Sequence, residues 1–345
     1  MIVKLRRFAA IAAALAVAVW IAVYFSTPGR AGRPFLIAPG DGAERIIGGL
    51  KDAGVVRSAL IFKIALSSSG LATKLQPGSY DLTGAKSYRE VIERLASGGM
   101  AANEVTIRIL EGWTVRDIAR LLNKIGLTRG AGEFYALAGE PAADFRRAKT
   151  GPRDFSEEFS FLADKPARAG LEGYLFPDTY RVFDDAKTED IVRTMLRNFD
   201  RRLTPELRAE IAAAGRTTRD IVIMASIIER EVRTDEDRAA VSDIFWRRLK
   251  IGMPLQADST VNYATGKSLP SVLTEDTKVD SPYNTYKYPG LPICPIGNPG
   301  LASIIAAVEP KKNDYWFFLT DGVGAVHYAR TIEEHNKNRA NFLRQ

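Results

Sequence analysis

Residues 221–232 read IVIMASIIEREV and are the most informative part of the sequence for the fold. Its first eight residues are apolar apart from one serine, a pattern typical of a helix that is buried nearly all round. Thr217 with Asp220 has the spacing of a capping box and predicts the start of this helix, and Thr234 with Asp237 predicts the start of the next. The sequence therefore predicts a buried helix in the middle of its domain.

This helix ends with two glutamates that face different directions. Glu229 and Glu231 lie about 200° apart on a helical wheel, and Glu229 has Arg233 at i+4, the favoured order for a solvated ion pair. Glu231 has isoleucines one turn earlier and Asp235 at i+4. Apolar neighbours and the negative end of the helix dipole both raise a carboxyl pKa, and a protonated carboxyl is what protonation of a glycosidic oxygen requires. Glu231 is thus a candidate general acid; a structural glutamate at a helix end is the alternative.

Two motifs downstream of the helix, QADSTV and SPYNTY, contribute five candidate binding residues: Gln256, Asp258, Tyr283, Asn284 and Tyr286. Tyrosines on a loop stiffened by proline and glycine suit stacking against sugar rings, and amides suit hydrogen bonds to hydroxyl and acetamido groups. A rigid structural turn is the alternative. Asp258 is also the candidate for a second carboxylate.

The N-terminal residues predict a membrane anchor. Phe8–Phe25 is a run of 18 residues without a charge, which as a helix spans about 27 Å, close to the hydrocarbon thickness of a bilayer. Lys4, Arg6 and Arg7 precede the run, so the positive-inside rule places the N-terminus in the cytoplasm. A cleaved signal peptide is the alternative, but the Ala-x-Ala matches lie within the apolar run. We expect a single-pass anchor with everything after Arg33 outside the cytoplasm.

Composition and charge exclude several classes of protein. The 345 residues are 46% hydrophobic and 26% charged, which is typical of a globular chain of about two domains. Because the chain has one cysteine, Cys294, and two histidines, no disulfide framework and no metal site are predicted. Residues 1–33 hold five basic and no acidic groups, which leaves 43 basic and 41 acidic groups in the rest. The net charge of +7 therefore does not predict a nucleic-acid surface.

An internal repeat follows the anchor at an offset of 72 residues. Seven residues recur, as the pairs Gly40/Gly112, Ile46/Ile118, Leu50/Leu122, Gly54/Gly126, Arg57/Arg129, Ala59/Ala131 and Phe62/Phe134. Each copy is predicted to form a strand, a helix that ends at a glycine, and a second helix. The unit resembles LysM-type glycan-binding modules; two copies of a common α+β packing unit is the alternative.

Several motifs together resemble one family. MASIIERE, RLKIGMPLQADSTVNY, SPYNTY, GLPICPIGNPG and the upstream EGYLFPDTY are similar, in this order, to motifs of the endolytic murein (peptidoglycan) lytic transglycosylases, the MltG/YceG-like proteins. The resemblance covers essentially the whole chain. It implies that Glu231 is the catalytic glutamate. Pro292-Ile293-Cys294 departs from the family's usual Pro-Pro-Gly, which affects the shape of that loop.

The resemblance implies a bacterial inner-membrane enzyme with its C-terminal domain in the periplasm. It would cleave the MurNAc–GlcNAc bond within glycan strands, leave 1,6-anhydro-MurNAc ends, and need no cofactor or metal. Its partners would be peptidoglycan strands and the membrane, with contact to peptidoglycan synthases left open and no nucleic acid. A muramidase-type hydrolase that uses Asp258, and a non-catalytic peptidoglycan-binding scaffold, remain alternatives.

The predicted fold class is α+β, with a transmembrane helix, a LysM-like α+β region and a mixed α+β catalytic domain built on a buried helix. The predicted division is residues 1–33 for the cytoplasmic tip, anchor and tether, 34–140 for the LysM-like region, 141–170 for a linker or insertion, and 171–345 for the catalytic domain. One continuous helix is predicted over about 188–214.

Overall fold

The structure is a computed structural model that describes residues 35–37, 41–98, 104–269 and 271–343. The predicted anchor lies outside these residues. Of the helices within them, none has both the length and the apolar character needed to cross a bilayer.

The fold is mixed α+β and mostly helical, which confirms the predicted class. The α-helices of the described residues are α1 Ala43–Asp52, α2 Ala59–Ser68, α3 Tyr88–Ala96, α4 Val115–Lys124, α5 Ala131–Ala138, α6 Thr188–Arg202, α7 Pro205–Ala213, α8 Thr218–Glu231, α9 Asp235–Lys250, α10 Asp258–Thr265, α11 Leu301–Val308 and α12 Ile332–Phe342. The strands are β1 Phe35–Ile37, β2 Gly78–Tyr80, β3 Glu104–Arg108, β4 Thr179–Phe183, β5 Phe317–Thr320 and β6 Val326–Ala329. They pair as β1 with β2, β3 with β4 and β5 with β6; the first and last pairs are antiparallel.

The chain divides into two compact units. The first extends to Val105 and also includes Arg181–Asp184, and the second comprises Thr106–Tyr180 and the chain from Asp185 onward. The second copy of the repeat therefore belongs to the same unit as α8. The predicted division into residues 34–140, 141–170 and 171–345 stays a prediction.

The sequence repeat corresponds to a repeated pair of helices. The start of α4 lies 72 residues after the start of α1, and α5 starts 72 residues after α2. Gly54 and Gly126 follow α1 and α4 with φ angles of 71° and 79°, in the left-handed region that glycine adopts without strain. Phe62 and Phe134, on the second helix of each copy, are both fully buried.

The core of the first unit is centred on Tyr88, at the start of α3. Its hydroxyl accepts hydrogen bonds from the backbone N–H groups of Arg57 at 3.0 Å and Ser58 at 3.3 Å. Its ring meets Phe62 edge to face, with 5.4 Å between centroids. These contacts fix the turn between α1 and α2 against α3.

The second unit is built on α8. Residues 221–228 are all buried, and α8 packs against α7, α9, α10 and α11. Thr217 and Asp220 form the capping box at its start, and the Thr234 side chain accepts from the Asp237 N–H at the start of α9. The predicted buried helix and both predicted helix starts are confirmed.

The continuous helix predicted over 188–214 is wrong, because the chain forms two helices there, α6 and α7. Pro205 is the first residue of α7, a position where its missing N–H costs no hydrogen bond. The Thr204 side chain caps this helix by accepting from Leu207 N. The proline thus separates the two helices.

Residues 141–170 have little regular structure, as predicted, and form only the 3₁₀ turn Ser160–Leu162. They nevertheless carry buried aromatic side chains, among them Phe155 and Phe161. The Phe161 ring lies 4.9 Å from that of Phe199 on α6, centroid to centroid. The segment is therefore part of the packing of the second unit.

Candidate active site

Glu231 is the last residue of α8 and lies half-buried beside the N-terminal end of α10. Its Oε1 accepts a hydrogen bond from Ser259 Oγ at 2.6 Å, and Ser259 N lies 3.4 Å from the same oxygen. Burial raises the pKa of Glu231 and the negative charge of Asp258 raises it further, while the Ser259 hydrogen bond opposes both. The predicted direction of this pKa shift is confirmed. Sequence reasoning did not single out Ser259; its place in the QADSTV motif was the available signal.

Asp258 precedes Ser259 on α10 and accepts a hydrogen bond on each carboxylate oxygen. Tyr286 OH donates to Oδ1 at 2.5 Å, and the backbone N–H of Val272 donates to Oδ2 at 3.2 Å. Burial, followed by the hydrogen bond to Asp258, raises the pKa of Tyr286 well above its usual range. The phenol therefore keeps its proton and remains a donor to Asp258.

Thr285 holds the loop that leads into α10. Its backbone carbonyl accepts from Gln256 N at 3.2 Å, and its Oγ1 accepts from Ala257 N at 3.1 Å and lies 2.9 Å from Thr260 Oγ1. Gln256 has a φ of 52°, a left-handed conformation that costs a non-glycine residue on the order of 1 kcal/mol. Its side chain is exposed. The structure thus fastens the SPYNTY motif to the QADSTV motif and leaves the Gln256 side chain open to solvent.

Tyr283 and Asn284 lie inside the fold. Asn284 is fully buried; its Nδ2 donates to two backbone carbonyls at 2.9 Å each, and its Oδ1 accepts from Tyr286 N at 3.0 Å. Tyr283 is also buried; its hydroxyl donates to Ala143 O at 3.2 Å, and its ring meets Tyr263 edge-on at 5.0 Å. The structure assigns both side chains to holding the loop, and their contact with a substrate stays a prediction.

Glu229, two residues before Glu231, is buried and structural. Its Oε2 accepts from Ser303 Oγ at 2.7 Å and from Gly300 N at 3.0 Å, and its Oε1 lies 3.3 Å from Arg238 Nη2. Gly300 is the N-cap residue of α11 and has no side chain, so Glu229 provides an acceptor at this helix end. The predicted surface pair with Arg233 is therefore wrong: Glu229 points inward, toward α9 and α11.

Glu172 is a further buried carboxyl that sequence reasoning missed, although it opens the EGYLFPDTY motif. Its Oε2 accepts from Tyr263 OH at 2.8 Å, and its Oε1 accepts from Val115 N at 2.9 Å and from Asn298 Nδ2 at 3.3 Å. Burial raises the pKa of Glu172 to about 8. The carboxyl joins the start of α4, the helix α10 and the loop before α11.

The Pro292-Ile293-Cys294 segment is enclosed by neighbouring side chains. Arg219 Nη2 donates to the Ile293 carbonyl at 2.7 Å. Cys294 is buried, and burial raises the pKa of its thiol to about 11. Because a thiol with this pKa stays protonated near neutral pH, Cys294 is a packing residue here.

Four of these side chains form a compact polar group, which we call the Glu231 cluster: Glu231, Asp258, Ser259 and Tyr286. Both oxygens of Asp258 accept hydrogen bonds, whereas within the described residues Glu231 has donors to Oε1 and none to Oε2. A carboxyl with a raised pKa and a free oxygen can give a proton and take one back. The cluster is therefore suited to proton transfer at a single carboxyl.

Comparisons with known proteins identify relatives of this chain. The family model described as the YceG-like family matches residues 35–341. An endolytic murein transglycosylase of Bacillus subtilis is 32% identical over 308 residues, which are 89% of this chain and 84% of the relative. One of Streptococcus pneumoniae is 31% identical over 89% of this chain, and the chain spans 58% of that longer relative. A crystal structure of a YceG-like protein from Listeria monocytogenes superposes with a TM-score of 0.58 at 30% identity, over 88% of this chain and 97% of the other. The chain belongs to the YceG-like family.

Proposed function

We propose that the protein is an endolytic peptidoglycan lytic transglycosylase that cleaves MurNAc–GlcNAc bonds within glycan strands. The observation that carries this proposal is the environment of Glu231, a half-buried carboxyl with a raised pKa and one free oxygen. The relatives from Bacillus subtilis and Streptococcus pneumoniae, each named endolytic murein transglycosylase, support the same activity.

The reaction needs one carboxyl in two protonation states. Glu231 donates its proton to the bridging oxygen as the bond from C1 of MurNAc to O4 of GlcNAc breaks, so GlcNAc leaves as a 4-hydroxyl. The C6 hydroxyl of the same MurNAc then bonds to C1, and its proton passes to the Glu231 carboxylate. The product is a 1,6-anhydro-MurNAc end, no water is consumed, and Glu231 returns to its protonated form.

The surroundings of Asp258 favour this reaction over hydrolysis. A glycosidase that hydrolyses its substrate generally uses a second carboxylate to activate water or to form a covalent intermediate. Asp258 is the neighbouring carboxylate that raises the pKa of Glu231, but both of its oxygens already accept hydrogen bonds, from Tyr286 and Val272. We therefore assign Asp258 to the organisation of the site instead of to water activation.

The proposed substrate contacts are based on the solvent exposure of the candidate side chains and on their position near Glu231. We propose that Gln256, Asp258 and Tyr286 line the glycan site beside Glu231, while Tyr283 and Asn284 hold the loop that presents Tyr286. The repeat-containing region, residues 34–140, would hold the glycan strand. The proposed reaction uses no cofactor.

The proposed location of the enzyme is based on the sequence of residues 1–33. We propose a single-pass anchor in the bacterial inner membrane with the rest of the chain in the periplasm, where nascent glycan strands are its substrate and peptidoglycan synthases are candidate partners. Cleavage within strands at this place would limit their length during cell-wall assembly.

Product analysis tests the activity. The full chain in detergent micelles is incubated with purified peptidoglycan, and the fragments are analysed by mass spectrometry. We expect internal fragments with 1,6-anhydro-MurNAc ends, none of them with Glu231→Gln, and unchanged products with Glu236→Gln, an exposed carboxyl paired with Lys311. Reducing ends would identify a hydrolase, and intact strands would identify a scaffold.

A further inference from the structure

The two oxygens of Glu231 have different environments. Oε1 faces Ser259, with the hydroxyl oxygen at 2.6 Å and the backbone nitrogen at 3.4 Å. Within the described part of the chain, no group donates to Oε2. Glu231 is only half-buried. Some polar side-chain atoms of the described residues are buried and lack a hydrogen-bond partner, and Oε2 of Glu231 is not one of them. One oxygen is therefore bound by the protein, and the other is open to a ligand.

Ser259 is itself held in place. It is the second residue of α10 and is 6% exposed. Thr260 next to it donates to the Ala257 carbonyl at 2.7 Å and contacts Thr285, and Asp258 before it is bonded to Tyr286. A serine hydroxyl has one proton to donate, and that of Ser259 is directed at Glu231.

We infer that Ser259 is a positioning residue: it holds Oε1 of Glu231 so that Oε2 carries the proton exchanged with the substrate. The inference rests on the proposed function, since it assigns roles to the two oxygens of the carboxyl that performs the reaction. It also gives the serine of the QADSTV motif a role that the motif alone does not reveal.

The proton balance agrees with this assignment. Before the reaction, Oε2 carries the acidic proton and Oε1 is the carbonyl oxygen that accepts from Ser259. Oε2 gives its proton to the bridging oxygen, and the negative charge that appears is stabilised by the Ser259 donors on Oε1. Oε2 then takes the proton of the C6 hydroxyl. Ser259 keeps its own proton throughout and does not have to move.

Within the described residues, the charges that act most strongly on Glu231 are those of Asp258 on α10 and Arg230 on α8 itself, and Tyr286 in the following loop is influenced by Glu231 in turn. Helix α11 has no charged residue.

The acidic residues in the first turn of α9 have other partners: Asp235 pairs with Arg238, Glu236 with Lys311, and Asp237 accepts from Tyr328. In the turn between β5 and β6, Asp321 is bonded to His327 on β6. Ser259 is the group among these neighbours that donates to the carboxyl.

The test is the dependence of kcat/KM on pH for soluble glycan strands, measured with the full chain in detergent micelles. The basic limb of this profile reports the pKa of the acid in the free enzyme. Because a hydrogen bond to the charged form lowers a carboxyl pKa, Ser259→Ala should move the limb to higher pH by about one unit. It should also lower kcat at least about tenfold at the optimum. Ser259→Thr keeps a hydroxyl and should restore the position of the limb.

Thr265→Val is the matched control. It removes a hydroxyl at the far end of the same helix, one that donates to the Val261 carbonyl at 3.0 Å and contacts neither Ser259 nor Glu231, so it should leave the limb in place. If Ser259→Ala unfolds the protein, Ser259→Cys, with its weaker donor, should still move the limb upward. If the basic limb of the kcat/KM profile lies at the wild-type pH in a folded Ser259→Ala or Ser259→Cys variant, the inference is overturned.

A second readout separates this inference from the proposed function. The carboxyl carbon of Glu231 is titrated by NMR in protein labelled with ¹³C-glutamate and assigned by its loss in Glu231→Gln. Ser259→Ala should raise the measured pKa, and an unchanged value would contradict the role of Ser259 whatever the activity. Conversely, a Glu231→Gln variant that still cleaves strands would reject the proposed function and leave this titration interpretable.

Discussion

Glu229 and Arg238 form a buried ion pair, with 3.3 Å between Oε1 and Nη2 and with both side chains almost completely shielded from water. The pair joins the end of α8 to α9, and the other oxygen of Glu229 binds the start of α11. Glu231, two residues later, has no such ties to these helices. Two glutamates in one helical turn thus have separate tasks, one in the fold and one at the candidate active site.

Glu229→Gln should lower the stability of the second unit substantially. The substitution leaves a buried guanidinium without its partner from α8, and removal of one member of a buried pair costs about 3 kcal/mol. The melting temperature should fall, while activity below that temperature is retained because Glu229 does not contact the Glu231 cluster. Thermal denaturation and product formation are measured together; Glu236→Gln, on the surface, is the control. An inactive Glu229→Gln variant with wild-type stability would contradict this assignment.

Glu231→Gln should abolish cleavage without lowering stability. The glutamine amide can still accept a hydrogen bond from Ser259, but it has no transferable proton. Because Glu231 acts as the acid in one step and as the base in the next, the substitution removes both functions. General acid–base catalysis contributes about 10²–10⁴-fold, so the rate should fall by the upper end of this range or more. No ion pair is lost, and a neutral amide replaces a partly desolvated carboxyl. A melting temperature several degrees below wild type would show that Glu231 is structural.

Glu172 should make the protein less stable as the pH rises. Its pKa is about 8 in the folded protein against 4.5 without the fold, so the native state binds more protons between these values. The free energy of unfolding therefore falls with pH in this window, by at most about 1.4 kcal/mol per pH unit. Chemical denaturation at pH 5 to 9 measures the slope, and Glu172→Gln should flatten it. Equal slopes in the two proteins would contradict the raised pKa.

Gln256→Gly should separate stability from binding. Glycine adopts the φ of 52° without strain, so the melting temperature should stay the same or rise, by the equivalent of at most about 1 kcal/mol. Loss of the exposed carboxamide should raise KM for glycan strands. Ala142→Gly is the matched control, because Ala142 has a φ of 58° and lies outside the Glu231 cluster; it should leave KM unchanged. An unchanged KM in Gln256→Gly would remove Gln256 from the substrate site.

The sequence predicted those features that depend on local spacing. The apolar run and the Thr217/Asp220 box located α8, and the 72-residue offset located two equivalent helix pairs. The absence of a local partner for Glu231 pointed to its raised pKa. Pro205 was a local signal for the break between α6 and α7, and its position directly after Thr204 is that of a capped helix start.

Partners distant in the chain could not be predicted in the same way. Ser303, which binds Glu229, lies 74 residues away, and Asn298 lies 126 residues from Glu172. Tyr283 and Asn284 have side chains that suit a sugar site and equally suit a buried turn. The Asn284 amide and the Tyr283 hydroxyl can each bond either to sugar hydroxyls or to backbone carbonyls. Only the packing of the loop distinguishes the two.

The complete burial of residues 221–228 also determines how the arrangement of the candidate active site breaks down when the protein unfolds. Amide hydrogens in such a helix exchange with solvent only through the largest openings of the domain. Because α8 packs on four other helices, the buried backbone that leads to Glu231 stays in place until that packing breaks. Hydrogen exchange at Met224 and Ala225 should therefore report the same opening free energy as loss of activity in denaturant. Each molecule would then be either catalytically active or unfolded.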